Sequence, residues 1–276
     1  MRVPLIVLCL VMAAKTGLGA DRSTIKIGTE GFYPPWNVVG DGGELEGFEI
    51  DLANDLCRRM KVTCDIIGQR WDGMLPALTS GKFDLVMAGM MITQEREQII
   101  DFSACYAADV AAFAVRADHA LAQTITPSAK VDLTTFSPEA KAAVTALRQA
   151  LAGTAVGVQV ATTHADFVKS YLGDLVDITY FDTLENLALD LNAQRIDAAL
   201  SSRAYWMRLA ESETGEDLAV IGPDMIGDVF GRGVGIGLRK DDPKLRAQVN
   251  NAIEDALADG TVARLARQWF GYDLSC

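Results

Sequence analysis

The sequence predicts an α/β protein in which parallel sheets are covered by helices. Short β-rich runs alternate with amphipathic helical stretches through nearly the whole chain, a pattern that favours parallel sheets over a sandwich or a helix bundle. The alternation stops at a polar segment near the middle and then restarts, which indicates two α/β units. The length of 276 residues leaves room for two lobes.

The first unit begins with a strand, an amphipathic helix and a second strand, and Gly68 closes this βαβ segment. Thr93 precedes a helix whose first turn holds Glu95, as expected for a capped N-terminus. In chain order the predicted elements are a strand at 25–29, a helix at 48–60, a strand at 62–67, a helix at 75–78, a strand at 83–87, a helix after Thr93 and a strand at 113–115.

Residues 117–141 interrupt this order with Thr, Ser, Pro and scattered charges, and we interpret them as an insertion. A helical pattern at 138–151 follows. The second unit is predicted as a strand at 155–159, a helix from His164, a strand at 176–180, a helix from Leu184, a strand at 196–200 and a helix from Arg203. The chain ends with a glycine-rich stretch at 223–235, a strand at 234–238 and two helices within 243–269.

The charge balance and the apolar content exclude several classes of protein. Lys and Arg number 25 against 37 Asp and Glu, and the resulting net charge of −12 argues against binding to nucleic-acid phosphates. Half of the residues are hydrophobic, which excludes an intrinsically disordered chain. We therefore expect a globular protein with no nucleic-acid partner.

The first twenty residues are typical of a signal peptide. Arg2 precedes an apolar run at 3–14, and small residues lead up to Ala20. We expect cleavage after Ala20 and export to the periplasm, so that residues 1–20 are missing from the mature protein. The apolar run is shorter than the roughly 20 residues that span a bilayer, and a buried N-terminal helix is the alternative.

Four cysteines follow the predicted signal peptide. An oxidising compartment favours a disulfide between the close pair Cys57 and Cys64, whereas the sequence leaves open whether Cys105 and Cys276 pair. A zinc site is not expected, because the two histidines of the chain are distant from these cysteines in sequence.

Signatures of catalysis are missing from the sequence. The chain carries no Gly-x-Ser-x-Gly elbow, Walker loop or His-Glu-x-x-His motif, and Gly231-Arg232-Gly233 lacks the strand-turn-helix setting of a dinucleotide fingerprint. An exported chain with two α/β units and none of these motifs suggests ligand capture in a cleft between lobes. We expect no enzymatic activity, no metal and no cofactor.

Several segments carry a resemblance to a known family. They are GTEGFYPPW at 28–36, GFEID at 47–51, WDGMLPAL at 71–78, GKFDLVM at 81–87, ITQER at 92–96, RIDAAL at 195–200 and the run 259–270. In these segments the chain resembles the family 3 periplasmic solute-binding proteins of polar amino-acid ABC transporters. Within that family it is most similar to octopine and nopaline binding proteins, and next to those for lysine, arginine, ornithine and histidine.

The resemblance implies a type II periplasmic binding protein fold, in which two parallel-core sheets are joined by two hinge strands. Lobe 1 would comprise residues 21–107 and 234–276, and lobe 2 residues 112–226. It further implies a monomer that binds a small molecule between the lobes and delivers it to an ABC permease in the inner membrane. A receptor that feeds a signalling protein is one alternative. Another is a cyclohexadienyl dehydratase that uses Glu30 and His164.

Arg96 is the first candidate for ligand binding. Its planar guanidinium can bind a carboxylate with two parallel hydrogen bonds, and the resemblance assigns this position to the α-carboxylate of the ligand. Thr162 and Thr163 lie where a strand leads into a helix, so their hydroxyl and N–H groups would complete the carboxylate site from lobe 2.

A cationic arm of the ligand would be held by other residues. Tyr33 and Trp71 lie in loops after strands, where their rings can contact a guanidinium, and Glu30 beside them can pair with its charge. For Tyr33 and Trp71 the resemblance also assigns a binding role.

Some positions depart from the pattern of the basic amino-acid binders. Where those binders have a serine-rich turn, this chain has Ala88, Gly89, Met90 and Met91. Where they have an aspartate for the α-ammonium group, this chain has Ser202. Without that aspartate an ordinary α-amino acid is disfavoured. A second carboxylated arm could use Gln159, His164 or Ser202. We therefore expect an arginine-derived opine such as octopine or nopaline, with a basic amino acid as the alternative.

Overall fold

The computed structural model describes residues 22–125 and 128–276. The predicted signal peptide at 1–20 lies outside the described residues. Within the two described ranges, no helix combines the length and the apolar character that a membrane crossing requires.

The chain begins with strands β1 to β7 and helices α1 to α3. In order these are β1 Thr24–Thr29, β2 Phe32–Tyr33, β3 Asn37–Val39, β4 Leu45–Glu46, α1 Phe48–Met60, β5 Thr63–Gly68, α2 Met74–Thr79, β6 Leu85–Val86, α3 Gln94–Ile99 and β7 Asp101–Ala107.

The second part runs from β8 to β13 before the chain returns. Its elements are β8 Ala111–Arg116, α4 Ala120–Thr124, β9 Ser128–Asp132, α5 Pro138–Leu151, β10 Ala155–Gln159, α6 Thr163–Phe167, β11 Asp177–Phe181, α7 Leu184–Asn192, β12 Ala198–Ser202, α8 Arg203–Ala210 and β13 Leu218–Ile226. The returning elements are β14 Val234–Leu238, α9 Pro243–Ala258 and α10 Thr261–Phe270.

Two sheets form the centres of two lobes. The first has the order β5-β1-β6-β14-β7, in which β1 runs parallel to both of its neighbours. The second has the order β11-β10-β12-β8-β13-β9, in which β10 runs parallel to β11 and β12. The chain passes between the sheets at residues 108–110 and 227–233. The predicted two-lobed α/β fold with parallel-core sheets is confirmed.

Helix α1 has the bounds that the sequence predicts. Glu49 and Asp51 lie in its first turn, where the helix dipole favours negative charge. Leu52 and Leu56 are buried on the face toward the first sheet. The helix ends at Lys61, which takes a left-handed conformation with φ of 59°.

Six strands were not predicted from the sequence, namely β2, β3, β4, β7, β9 and β13. Residues 117–141, interpreted as an insertion, contain α4 and the edge strand β9, which pairs in parallel with β13. Strand β7 at the edge of the first sheet has the mixed sequence DFSACYA. The helix predicted from His164 starts one residue earlier, and a π-helical turn at Val168–Leu172 continues it.

Two disulfides fix segments of the first lobe. Cys57 is bonded to Cys64, as predicted, and links α1 to β5. Cys105 is bonded to Cys276, which settles the pairing that the sequence left open. The backbone N–H of Ala108 also donates to the carbonyl of Leu274 at 2.7 Å. The C-terminal segment is therefore attached beside the first crossover.

Candidate functional site

A cavity of about 520 Å³, part of it open to solvent, lies between the two sheets. Both lobes and the first crossover contribute to its wall. The lining residues are Glu30, Tyr33, Trp71, Ala88, Gly89, Met91, Arg96, Asp109, Val110, Ala111, Gln159, Thr162, Thr163, His164, Leu184, Ser201 and Phe230. Such a position is typical of ligand sites in two-lobed proteins.

Arg96 is the buried cation of this cavity. It lies in the first turn of α3, where the hydroxyl of the N-cap Thr93 accepts its backbone N–H at 3.2 Å. Only 8% of the residue is exposed, and burial lowers the pKa of its guanidinium from 12.5 to about 10. The group therefore stays charged at neutral pH although it has lost most of its hydration.

The guanidinium of Arg96 is held by neutral groups. It donates to the carbonyl of Met91 at 2.9 Å and to the carbonyl of Ala161 at 3.2 Å, and it lies 5.2 Å from the ring centre of Trp71. In the part of the chain that the structure describes, no carboxylate forms an ion pair with it. A buried charge without a counterion is costly, so this cavity favours an anion.

Ala161 receives two donors from the opposite lobe. Besides Arg96, the indole N–H of Trp71 donates to its carbonyl at 3.1 Å. Ala161 has a φ of 57°, a left-handed conformation that is unfavourable for a residue with a Cβ. This turn between β10 and α6 directs its carbonyl toward lobe 1.

The start of α6 supplies further donors. The hydroxyl of Thr162 accepts the N–H of Ala165 at 3.1 Å and donates to the carbonyl of Gln159 at 2.7 Å, which fixes the turn. The N–H groups of Thr163 and His164 lie in the first helical turn, where no earlier carbonyl is available to them within the helix. They are suited to an anion in the cavity.

His164 is a neutral residue in this setting. Burial and the nearby Arg96 charge lower the pKa of its imidazole from 6.5 to about 3. Its ring lies against Phe230, with 5.9 Å between the ring centres. The imidazole can therefore donate one hydrogen bond but brings no positive charge at neutral pH.

Glu30 is the first of two carboxylates in the cavity wall, and it is buried. The side-chain amide of Gln159 donates to it at 2.8 Å across the two lobes. Burial is the main reason that the pKa of Glu30 rises from 4.5 to about 7, and the negative charges of Glu49 and Asp72 add to the effect. A cation placed beside Glu30 would restore its ionised form.

Asp109 is the second carboxylate of the cavity wall; it is partly buried, and the sequence did not predict it. It lies in the first crossover and accepts hydrogen bonds from Ser202 Oγ at 2.8 Å, from its neighbour Val110 N at 2.9 Å and from Tyr33 OH at 3.3 Å. Burial raises its pKa from 3.8 to about 6. The cavity thus contains one cation and two carboxylates.

Ten of the twelve predicted binding residues line the cavity. They are Glu30, Tyr33, Trp71, Ala88, Gly89, Arg96, Gln159, Thr162, Thr163 and His164. Met90 does not, because its side chain is buried in the core of lobe 1 and the next residue, Met91, lies at the cavity instead. Ser202 does not, because its hydroxyl caps α8 and donates to Asp109, whereas Ser201 lines the cavity.

Gly89 lines the cavity, but its N–H is not free to bind a ligand. Its N–H is instead bonded to Glu49 at 2.8 Å, and a Cβ at this position would lie 2.6 Å from the ring of Tyr33. With a φ of 60° as well, the position requires glycine. The missing side chain therefore accommodates Tyr33.

A sequence signal for Asp109 did exist. It is the single charged residue in the run YAADVAAFAV at 106–115, between two strands. A lone carboxylate in such a buried run is either paired or functional, and this reasoning would have identified it. The other residues missed, such as Val110, Ala111, Leu184 and Phe230, are apolar and carry no comparable signal.

Comparisons with known proteins identify the family of this chain. The family model described as bacterial extracellular solute-binding proteins, family 3, matches residues 25–272. The octopine-binding periplasmic protein of Rhizobium meliloti is 36% identical, with 98% of each chain covered. The histidine-binding periplasmic protein of Escherichia coli K12 is 32% identical, with 97% of this chain and 96% of the relative covered.

Solved structures show the same fold. An ancestral arginine-binding protein bound to arginine matches with a TM-score of 0.77 and 29% identity, over 91% of this chain and all of that one. An ancestral amino acid-binding protein, described as a precursor of cyclohexadienyl dehydratase, matches with a TM-score of 0.74 and 28% identity, over 90% of this chain and 96% of that one. The chain belongs to the family 3 bacterial extracellular solute-binding proteins.

Proposed function

We propose that this protein is the periplasmic binding component of an ABC importer and that it captures an arginine-derived opine of the octopine type between its lobes. The observation that carries the proposal is the buried guanidinium of Arg96, which has no ion pair among the described residues, in one cavity with the carboxylates of Glu30 and Asp109. A ligand with both anionic and cationic groups complements this pattern.

The anionic part of the ligand belongs at Arg96. A carboxylate there would neutralise a charge that now meets only carbonyl groups, and it would gain two charge-assisted hydrogen bonds. The N–H groups of Thr163 and His164 lie on the lobe 2 side of the same cavity. Ligand binding would therefore join the two lobes and stabilise the closed arrangement.

The cationic part belongs at the two carboxylates. Octopine carries a guanidinium, a secondary ammonium and two carboxylates, so each of its charges needs a partner. Glu30 would take the guanidinium and Asp109 the ammonium, while Arg96 and the start of α6 would share the two carboxylates. Asp109 thus supplies the negative charge that Ser202 could not.

Two further points support an opine. The octopine-binding relative is 36% identical to this chain, compared with 32% for the histidine-binding relative. In addition, Ala88 and Gly89 bring no hydroxyl groups that would bond to the ammonium or carboxylate of a plain amino acid.

A basic amino acid such as arginine is the second candidate, and Asp109 is the observation in its favour. With both carboxylates ionised, the three charged groups of the cavity sum to −1, which the net charge of +1 of arginine would balance. In that case the single carboxylate of arginine would contact both Arg96 and the start of α6.

Transport would follow the usual route of this family. An N-terminal signal peptide would deliver the protein to the periplasm, where it would act as a monomer and pass its ligand to a permease in the inner membrane. Because the relatives described above are binding proteins, we propose no enzymatic activity. An assay for loss of prephenate would detect a dehydratase.

Calorimetric titration of the ligand-free mature protein tests the choice of ligand. The panel is octopine, nopaline, arginine, lysine, ornithine, histidine and glutamine. We expect an opine to bind at least tenfold more tightly than arginine, because its second carboxylate lets Arg96 and the start of α6 each bind a carboxylate of their own. Tighter binding of arginine would replace the opine proposal with the basic amino acid.

Substitution of Arg96 tests the carboxylate site. Arg96→Ala should weaken binding at least about 30-fold, because truncating one partner of a buried charge pair costs about 2–5 kcal/mol. Arg96→Lys should weaken it about tenfold, since charge is kept but the planar fork is lost. The ligand-free variants should unfold no more easily than the wild type.

The matched control is Arg208→Ala, which removes an exposed arginine on α8 that pairs with Glu211. Its affinity should equal that of the wild type. Equal affinity of Arg96→Ala and the wild type would contradict the carboxylate site.

The affinity should also depend on pH. Glu30 and Asp109 have pKa values of about 7 and 6 in the empty protein, and a bound cation favours their ionised forms. Affinity should therefore be constant above pH 8 and decline as the pH falls through 7, reaching roughly a tenfold loss at pH 6. Glu30→Gln should bind weakly and lose most of this dependence. A wild-type affinity that is flat from pH 6 to 8 would contradict the role of Glu30.

A further inference from the structure

Behind the cavity wall lies a buried carboxylate that does not face the ligand space. Glu49, in the first turn of α1, has no exposed surface. It accepts hydrogen bonds from Gly89 N–H at 2.8 Å, from the side-chain amide of Asn37 at 2.7 Å and from the hydroxyl of Tyr106. Three donors thus converge on one acidic side chain inside lobe 1.

These bonds reach both cavity loops of lobe 1. Asn37 extends the hydrogen-bond network to Gly31, because its side-chain oxygen accepts the N–H of Gly31 at 2.7 Å. Gly31 lies in the segment that carries Glu30 and Tyr33. Gly89 lies in the turn that packs against the ring of Tyr33. One carboxylate therefore connects the two loops.

We infer that Glu49 is a positioning residue for ligand binding: its carboxylate sets the spacing between the Glu30–Tyr33 loop and the Ala88–Met91 turn. This rests on the proposed function only in that these loops are taken to contact the ligand. The residue acts through Gly31 and Gly89 and does not itself touch the ligand.

The direction of the hydrogen bonds makes the charge essential. Asn37 must present its oxygen to Gly31 and its NH₂ group to Glu49, so its orientation is fixed. Gly89 can only donate. A carboxylate accepts from all of its neighbours at once. Burial raises the pKa of Glu49 above its usual value, and these donated bonds oppose that rise.

A glutamine in place of Glu49 has the same shape but cannot satisfy this arrangement. Its NH₂ group must face either the NH₂ of Asn37 or the N–H of Gly89. If the side-chain amide of Asn37 rotates so that its oxygen accepts from the glutamine, the NH₂ group of Asn37 then faces the N–H of Gly31. Every orientation leaves two donors facing each other, so at least one loop must shift.

The test is Glu49→Gln, with octopine as the probe and arginine if the wild type does not bind octopine. We expect the affinity to fall at least tenfold. In the ligand-free variant, the amide of Gly31 or Gly89 should exchange with solvent faster than in the wild type. The control is Asp51→Asn, which removes a charge from the same helix at a carboxylate that accepts from Trp269 on another face. It should change neither quantity.

A double variant separates positioning from general stability. In Asn37→Asp with Glu49→Gln, the new aspartate accepts from Gly31 and from the new glutamine, whose oxygen accepts from Gly89 and Tyr106. Every hydrogen bond is restored with the same net charge, so affinity and amide protection should return to near the wild-type values. If Glu49→Gln does not fold, Asn37→Ala gives a separate test. It should speed amide exchange at Gly31 but not at Gly89.

Each outcome decides the inference. Unchanged affinity and exchange in Glu49→Gln, or no recovery in the double variant, would overturn it. If the wild type binds neither octopine nor arginine, the proposed function fails, and amide exchange at Gly31 and Gly89 still tests the positioning role.

Discussion

A buried positive charge without its own counterion governs the architecture of this cleft. Among the described residues, the guanidinium of Arg96 meets carbonyl groups and an aromatic ring but no carboxylate. A protein interior tolerates such a charge only where something compensates for the lost hydration. Placing the cation at the start of a capped helix, beside donors from a second lobe, makes the cavity selective for an anion and makes that anion a link between the lobes.

Contacts between the lobes converge on the same place. The Ala161 carbonyl of lobe 2 accepts from both Arg96 and Trp71, and Gln159 donates to Glu30. Arg70 and Asp182 add an exposed ion pair across the cleft, which contributes little in water. Apolar contacts add to them, since the ring centre of Tyr33 in lobe 1 lies 6.3 Å from that of Tyr205 in lobe 2. A ligand that joins both walls stabilises the closed state by its differential affinity for it.

Much of the fold and of the candidate site could be predicted from the sequence, and the predictions that failed did so for physical reasons. Helices such as Phe48–Met60 and Pro138–Leu151 were predicted with their observed bounds because their periodicity and end residues agree. Strand β9 carries no such pattern and was therefore taken for part of an insertion. Arg96 could be located from its capped helix and its motif. Met90 and Met91 could not be told apart, since in this irregular turn the side-chain directions depend on tertiary packing.

A ligand carboxylate bound between the lobes is expected to neutralise the charge of the Arg96 guanidinium. A crystal structure of the mature protein with the tightest-binding opine or amino acid tests it most directly. The account predicts a carboxylate within hydrogen-bond distance of the Arg96 guanidinium, with a cationic group of the same ligand beside Glu30 or Asp109. A ligand bound in the reverse orientation, or one that leaves Arg96 in contact only with the Met91 and Ala161 carbonyls, would contradict it.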